Sequence, residues 1–238
     1  MNDYNSQYRP GGFGYLPVVT KNIIIINVIL YIATELLRSR GIDLVAYLGL
    51  HHHLASDFRP HQFITYIFMH GNLAHLAFNM FGVYIFGQVL EQVWGPKRYL
   101  NFYILTGLGA ALAQYLILVY QVSQMRSMTE FTNHGSTPLV TDEMLSMLLN
   151  NNVIIGASGS LFGLLGAFGM LFPNRYIYLY FMIPVKAKWM VTFYGLAELY
   201  SAIQNNPQDN VGHLAHIGGL IVGIVIVFFW RRDRNHFY

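Results

Sequence analysis

The sequence predicts an all-α membrane protein, a bundle of six transmembrane helices with both termini on the cytoplasmic side. Three observations predict it. Hydrophobic residues make up 54% of the 238-residue chain and charged residues 11%, the reverse of what a water-soluble domain needs to coat its surface. Six apolar segments, at about 21–37, 61–90, 99–121, 153–172, 187–204 and 213–230, approach the roughly 20 residues that cross a hydrocarbon layer as a helix. Lys and Arg gather in cytoplasmic loops, and in a six-span arrangement they divide ten to four between the two sides.

Residues 1–19 are polar and turn-rich (Tyr4, Arg9, Pro10, Gly11, Gly12, Gly14). They lack the apolar stretch and small-residue cleavage site of a signal peptide and read as a cytoplasmic N-terminal tail. Residues 20–230 read as one membrane-embedded unit, because six helices leave no room for a large second domain. Within it, the connection from about 122 to 152 reads as an insertion in which Met144, Leu145, Met147, Leu148 and Leu149 form a short amphipathic helix. Tyr176 to Ile183 is apolar and aromatic, ends at Pro184, and reads as an interfacial piece or a continuation of the fourth helix. Residues 231–238 form a basic cytoplasmic C-terminal tail with Arg231, Arg232 and Arg234. The same side holds Arg9, Lys21, Lys97, Arg98, Arg175, Lys186 and Lys188, whereas Arg38, Arg40, Arg59 and Arg126 fall on the other.

Composition also excludes some chemistry. Without cysteine there is no disulfide framework, thiolate nucleophile or thiolate metal site. The net charge of +3 comes with no basic stripe interleaved with aromatics, so no nucleic-acid partner is expected. The partners expected are membrane lipids and protein segments that share the bilayer.

Polar groups inside apolar segments are costly and mark function. In the six-span arrangement the second, fourth and sixth helices all enter from the outer side, and His75, Ser158 and His216 all fall in their outer parts. Ser158 lies about five residues into its segment, a depth on the order of 8 Å at helical rise. A serine hydroxyl attacks a carbonyl only when a base takes its proton, and acyl transfer also needs donors for the oxyanion. Ser158 is the candidate nucleophile and His216 the candidate base. The candidate oxyanion donors are the Ser158 backbone N–H with His75 and Asn79, whose i, i+4 spacing puts them on one helix face. His70, five residues before His75, projects about 140° away on the same helix and reads as a rim or structural histidine. Gly156 and Gly159 beside the serine, with Gly219 and Gly223 beyond the histidine, allow two helix backbones to approach closely.

Other readings are weaker. The soluble-hydrolase elbow GxSxG fails, because Ser160 stands where the second glycine belongs. Glu198 is the one acid well inside an expected span, and hydrogen bonding within the bundle or at a cavity rim suits it better than a triad role. The run His51, His52, His53 reads as an interfacial polar cluster, and the zinc-protease pattern HExxH is absent. No metal and no cofactor are required. A transporter would call for pathway charges or paired repeats, and neither is seen.

Taken together, His70 with His75 and Asn79, the run Gly156 Ala157 Ser158 Gly159, and Ala215 His216 with Gly219 and Gly223 resemble the signature motifs of rhomboid intramembrane serine proteases, from the first helix onward. The resemblance implies a Ser158–His216 dyad, an oxyanion site at His75 and Asn79, and six helices around a wet cavity open to the outside. It also implies transmembrane-helix protein substrates, cut near the outer face. Glu91 to Arg98, with Trp94 and Gly95, is similar to the family's region after the second helix, with no chemical role assigned. A catalytically inactive rhomboid-like binding protein for membrane helices is the alternative, but such a protein should lack the serine or the histidine. The charge bias and short tails suit a bacterial plasma membrane, with the active site toward the extracytoplasmic side.

Overall fold

A computed structural model describes residues 16–132, 142–179, 182–204 and 211–232. Most of the N-terminal tail and residues 233–238 of the C-terminal tail lie outside the described residues. Helix α1 (Val18–Arg38) follows Pro17, two residues before the expected boundary at 20. Its first-turn N–H groups have no acceptor within the helix, and Glu91 supplies one from across the bundle. The buried Glu91 carboxylate accepts from Val19 N at 2.9 Å, Thr20 N at 2.7 Å and Thr20 Oγ at 2.7 Å, where the positive end of the helix favours an anion. Glu91→Ala strands these donors at about 1–3 kcal/mol each if they stay dry. The expected result is a lower thermal midpoint in detergent, partly recovered by Glu91→Gln, which keeps an acceptor oxygen.

After α1 the chain forms a cap of short pieces, α2 (Leu44–Leu48), α3 (Gln62–Thr65) and a 3-10 turn at Tyr66–Phe68. The buried Gln62 side chain ties this cap together. Its Oε1 accepts from His51 N and Arg59 N, and its Nε2 donates to Asp57 O at 2.8 Å. His51 and His52 are buried here. His51 Nε2 pairs with Ala46 O, His52 Nδ1 accepts from Leu54 N, and His53 Nδ1 meets the Tyr115 hydroxyl. Leu50 and Ile154 form an isolated antiparallel bridge that joins the cap to the approach of α8 (Ser158–Leu171).

The second long helix is α4 (Leu73–Gly82), a π-helical stretch (Val83–Gly87) and α5 (Gln88–Trp94) in one run. It starts at Leu73, not near 61, because Asn72 caps it by accepting from His75 N at 2.8 Å. Gly95, at φ 76°, turns the chain into Pro96 at the head of α6 (Pro96–Thr132), the Gly-after, Pro-before punctuation of adjoining helices. At this corner Arg98 lies 4.2 Å over the Trp230 ring, which packs against Trp94 and Phe102. The stretch from Glu91 to Arg98 is therefore a structural joint.

Helix α6 outruns the expected end at 121, and α7 (Asp142–Asn151) supplies the short helix expected in the connection. The fourth apolar segment gives α8, only 14 residues long, with eight of them buried. A helix apolar all round belongs in a core, and α8 is packed by α6, α9 (Ala187–Gln204) and α10 (His213–Arg232). Outward faces elsewhere are apolar and exposed, as Ile25, Ile29 and Ile32 on α1 and Phe193, Leu196 and Tyr200 on α9 show. Such faces suit lipid. Among the described residues four helices are long and apolar enough to cross a membrane, at Val18–Arg38, Leu73–Trp94, Pro96–Met125 and His213–Arg231. Every one of the six expected segments contains a helix.

The fold is not purely helical. Tyr176–Leu179 and Ile183–Lys186 pair as an antiparallel hairpin, β1 and β2, with Tyr176 opposite Lys186 and Tyr178 opposite Pro184. This replaces the helical continuation of the fourth helix, one of the two readings expected there. The aromatic and β-branched run Tyr176, Ile177 and Tyr178 favours a strand, and Pro184 is tolerated because a two-stranded sheet is all edge.

Candidate active site

Helices α8 and α10 cross at glycines. A Cβ on Gly219 would collide with the Gly159 carbonyl oxygen and lie 2.8 Å from its carbon, and one on Gly223 would lie 2.7 Å from Gly163 O. The backbones therefore touch where a side chain on either glycine would hold them apart. Gly159 in turn faces Ala110 of α6 and the Ala215 carbonyl.

Just before α8, Gly156 adopts φ 126°, a conformation that L side chains rarely adopt, and its N–H bonds Tyr66 O at 3.0 Å. A Cβ there would lie 2.8 Å from His75 Nε2 and 3.6 Å from Ser158 Oγ. The His75 ring and the Ser158 hydroxyl thus face the same bare carbon. Ser158 opens α8 with no side-chain cap on the helix, so first-turn N–H groups remain available to an incoming anion. Ser160, two residues on, is buried and donates to Tyr103 O at 2.8 Å, which separates the structural serine from Ser158.

Asn79 lies one turn beyond His75 on α4 and is buried. Its Nδ2 donates to His75 O at 2.8 Å, and its Oδ1 has no hydrogen-bond partner. An amide nitrogen carries two N–H groups, so one stays uncommitted. His70 precedes the helix instead of riding on it, so the 140° projection does not apply. Its buried ring meets that of His75 edge-on with centroids 4.9 Å apart.

His216 lies in the first turn of α10. Its imidazole stacks on Phe162, with centroids 4.4 Å apart and planes 9° from parallel. Phe162 is four residues after Ser158, one turn along α8. His216 Nδ1 lies 3.0 Å from Glu198 Oε2 of α9 without hydrogen-bond geometry. His213 Nδ1 hydrogen-bonds that same oxygen at 2.6 Å. Among the described contacts no hydrogen bond joins Ser158 to His216.

The structure thus brings Ser158 together with His75 at Gly156, places Asn79 one turn beyond His75 on α4, and packs Gly159, Gly219 and Gly223 at the crossing. Sequence reasoning missed the Phe162 platform and the Glu198–His213 pair. Phe162 carried a signal in its i+4 spacing from the serine. Contacts between α9 and α10 had none, because nothing in one sequence fixes how two helices rotate against each other.

The chain matches the Rhomboid domain family over residues 57–233. It is 29% identical over 212 residues to Rhomboid-like protein 11, chloroplastic, of Arabidopsis thaliana, covering 87% of this chain and 63% of that protein. It is 27% identical over 167 residues to Rhomboid protease AarA of Providencia stuartii, covering 66% and 51%. With the putative rhomboid protease YdcA of Bacillus subtilis it shares 26% over 179 residues, 74% and 70% of the two chains. The chain spans about half to two thirds of the length of most of the curated relatives it matches. Chloroplast and mitochondrial proteins among these relatives leave a bacterial plasma membrane unsupported as its location. Since the match takes in well over half of the sequence and every residue of the candidate site, the chain belongs to the rhomboid family.

Proposed function

We propose that this chain is an intramembrane serine endopeptidase that cuts peptide bonds in or beside transmembrane segments of other proteins. The observation that supports the reading is the stacking of His216 on Phe162, a residue one helical turn along α8 from Ser158, with His75 and Ser158 both beside Gly156. Relatives that bear the name rhomboid protease support it.

Catalysis proceeds in two halves. As Ser158 Oγ attacks the scissile carbonyl carbon, His216 Nε2 takes the hydroxyl proton, and the C=O electron pair moves to oxygen. The Ser158 N–H, His75 and the free Asn79 N–H bind that oxyanion. Collapse expels the amine, which receives the proton from His216, and an acyl-serine remains. Water, deprotonated by the same imidazole, then releases the acid and restores the serine. The gap between Ser158 and His216 closes on substrate binding, as catalytic hydrogen bonds commonly tighten only in the complex.

The six helices serve as six crossings, with both termini on one side as the ten-to-four division of basic residues favours. Its 14 residues make α8 about 21 Å long, against a hydrocarbon core of about 30 Å, so its N-terminus lies below the far surface. Ser158 is then reached through a water-filled recess on the side opposite the termini. Purified protein in detergent should cleave a single-span model substrate, and intact substrate after prolonged incubation would contradict the proposal. Asn79→Ala is expected to lower turnover about 10²–10³-fold, the cost of one oxyanion donor, with unchanged turnover showing that the donors lie elsewhere.

A further inference from the structure

We propose that Glu198, His213 and His216 form a zinc site whose occupation disables His216 as a base. The proposal rests on the protease reading for its effect on catalysis, though not for binding of the metal itself. Three side chains from two helices, Glu198, His213 and His216, each offer one ligand atom, all within 4.8 Å of one another, and Glu198 Oε2 lies 2.6 Å from His213 Nδ1 and 3.0 Å from His216 Nδ1. The histidines are spaced i, i+3 in the first turn of α10, with ring planes 88° apart, so their Nδ1 atoms converge on the carboxylate from two directions. Glu198 Oε2 satisfies His213, whereas His216 Nδ1 is buried, 3.0 Å from that oxygen, and without a hydrogen bond. A buried ring nitrogen 3.0 Å from a carboxylate oxygen yet outside hydrogen-bond geometry is an orphaned polar atom, which a metal ion at this spot would satisfy.

The donor set fits zinc. Two imidazoles and a carboxylate, with the fourth position left to water, match the composition of open tetrahedral zinc sites, and magnesium prefers all-oxygen shells. Ligand atoms on tetrahedral zinc stand about 3.4 Å apart. The separations of 2.6 and 3.0 Å must widen by about 0.8 and 0.4 Å, and the remaining one, between the two histidines, contracts by at most about 1.4 Å, within reach of side-chain rotations. The buried His51 and His52 differ in kind, since the bonds their rings make run to backbone groups of the cap.

The consequence for catalysis follows from the tautomer. A neutral imidazole holds one proton, and a metal on Nδ1 takes that lone pair and leaves the proton on Nε2. Nε2 is the atom that must accept the Ser158 proton, so the metal-bound ring cannot act. Nothing is oxidised or reduced. Zinc enters, the ring protons of His213 and His216 move to Nε2, and a carboxylate oxygen turns from a histidine to the metal.

The test uses the full chain, free of any affinity tag that contains histidine, purified in detergent. Serine labelling by a fluorophosphonate is measured against zinc concentration, with magnesium as control, beside zinc binding read by competition with a chromogenic chelator. The expected result is one zinc bound per chain and labelling lowered at least about tenfold, reversed by EDTA and not produced by magnesium. Glu198→Gln and His213→Ala, each read against its own zinc-free labelling, should need more than the roughly 10–100-fold extra metal that loss of outer-shell partners costs. Labelling that ignores zinc, or that keeps the same zinc dependence in both variants, overturns the proposal. Zinc bound by wild type and lost in both variants, with no labelling at any zinc level, keeps the metal site but overturns the protease reading.

Discussion

Ser158→Ala is expected to leave a folded protein that cleaves nothing. The substitution removes one oxygen at the head of α8, and that position is only partly buried, so neither a cavity nor a lost core contact follows and the thermal midpoint should stay near wild type. The chemistry goes with it. His216 then has no hydroxyl to deprotonate, and Ser160 cannot substitute because its hydroxyl is committed to Tyr103 O. Loss of the nucleophile in serine proteases costs on the order of 10⁶-fold in turnover. Gel analysis of a single-span substrate should show no product. Product at a wild-type rate would mean that another group attacks.

Gly219→Ala is expected to damage both fold and rate, although it adds a single methyl group. The added carbon meets the backbone of Gly159, its carbonyl carbon at 2.8 Å and Cα at 3.2 Å, and backbone cannot rotate aside as a side chain can. Helix α10 must move off α8 and carry His216 away from Ser158. It has little room to do so, since Val222 and Gly218 already press on Gly109 and Ala113 of α6. Overpacking of this kind costs about 1–3 kcal/mol, and a shift of about 1 Å between reacting groups costs on the order of 10²-fold in rate. The expected results are a lower thermal midpoint and turnover reduced by that factor or more. Wild-type stability and turnover together would show that the crossing is looser than the glycines indicate.

The two variants separate the hydroxyl from the frame that presents it, and the same division governs what the sequence discloses. Ser158, His75, Asn79 and His216 stand out because a polar group in an apolar segment carries a cost that only a partner or a function offsets. Gly159, Gly219 and Gly223 stand out by their three- and four-residue spacings. Position along the chain is enough for these. The start of the second span is not legible, because residues 61–72 are apolar enough for lipid yet are folded into a cap by Gln62 and by the Asn72 helix cap. Hydropathy measures transfer, and it is blind to a side chain that ends a helix. The hairpin at Tyr176–Lys186 is hidden for a related reason, since one apolar run of this length fits a strand or a helix equally and only strand pairing decides. Glu198 stands out as an acid inside a span and does hydrogen-bond within the bundle, but its partners, like the role of Glu91, lie beyond such reasoning. Each acts on a partner on another helix, Thr20 in one case and His213 and His216 in the other, and only the packed bundle brings them into reach.

The central claim is that His216 activates Ser158, and fluorophosphonate labelling of the metal-free protein tests it most directly, because the probe reacts with an activated serine whatever the natural substrate. The account predicts stoichiometric labelling of wild type, none of Ser158→Ala, and a large loss in His216→Ala. Labelling of His216→Ala at the wild-type rate would contradict it.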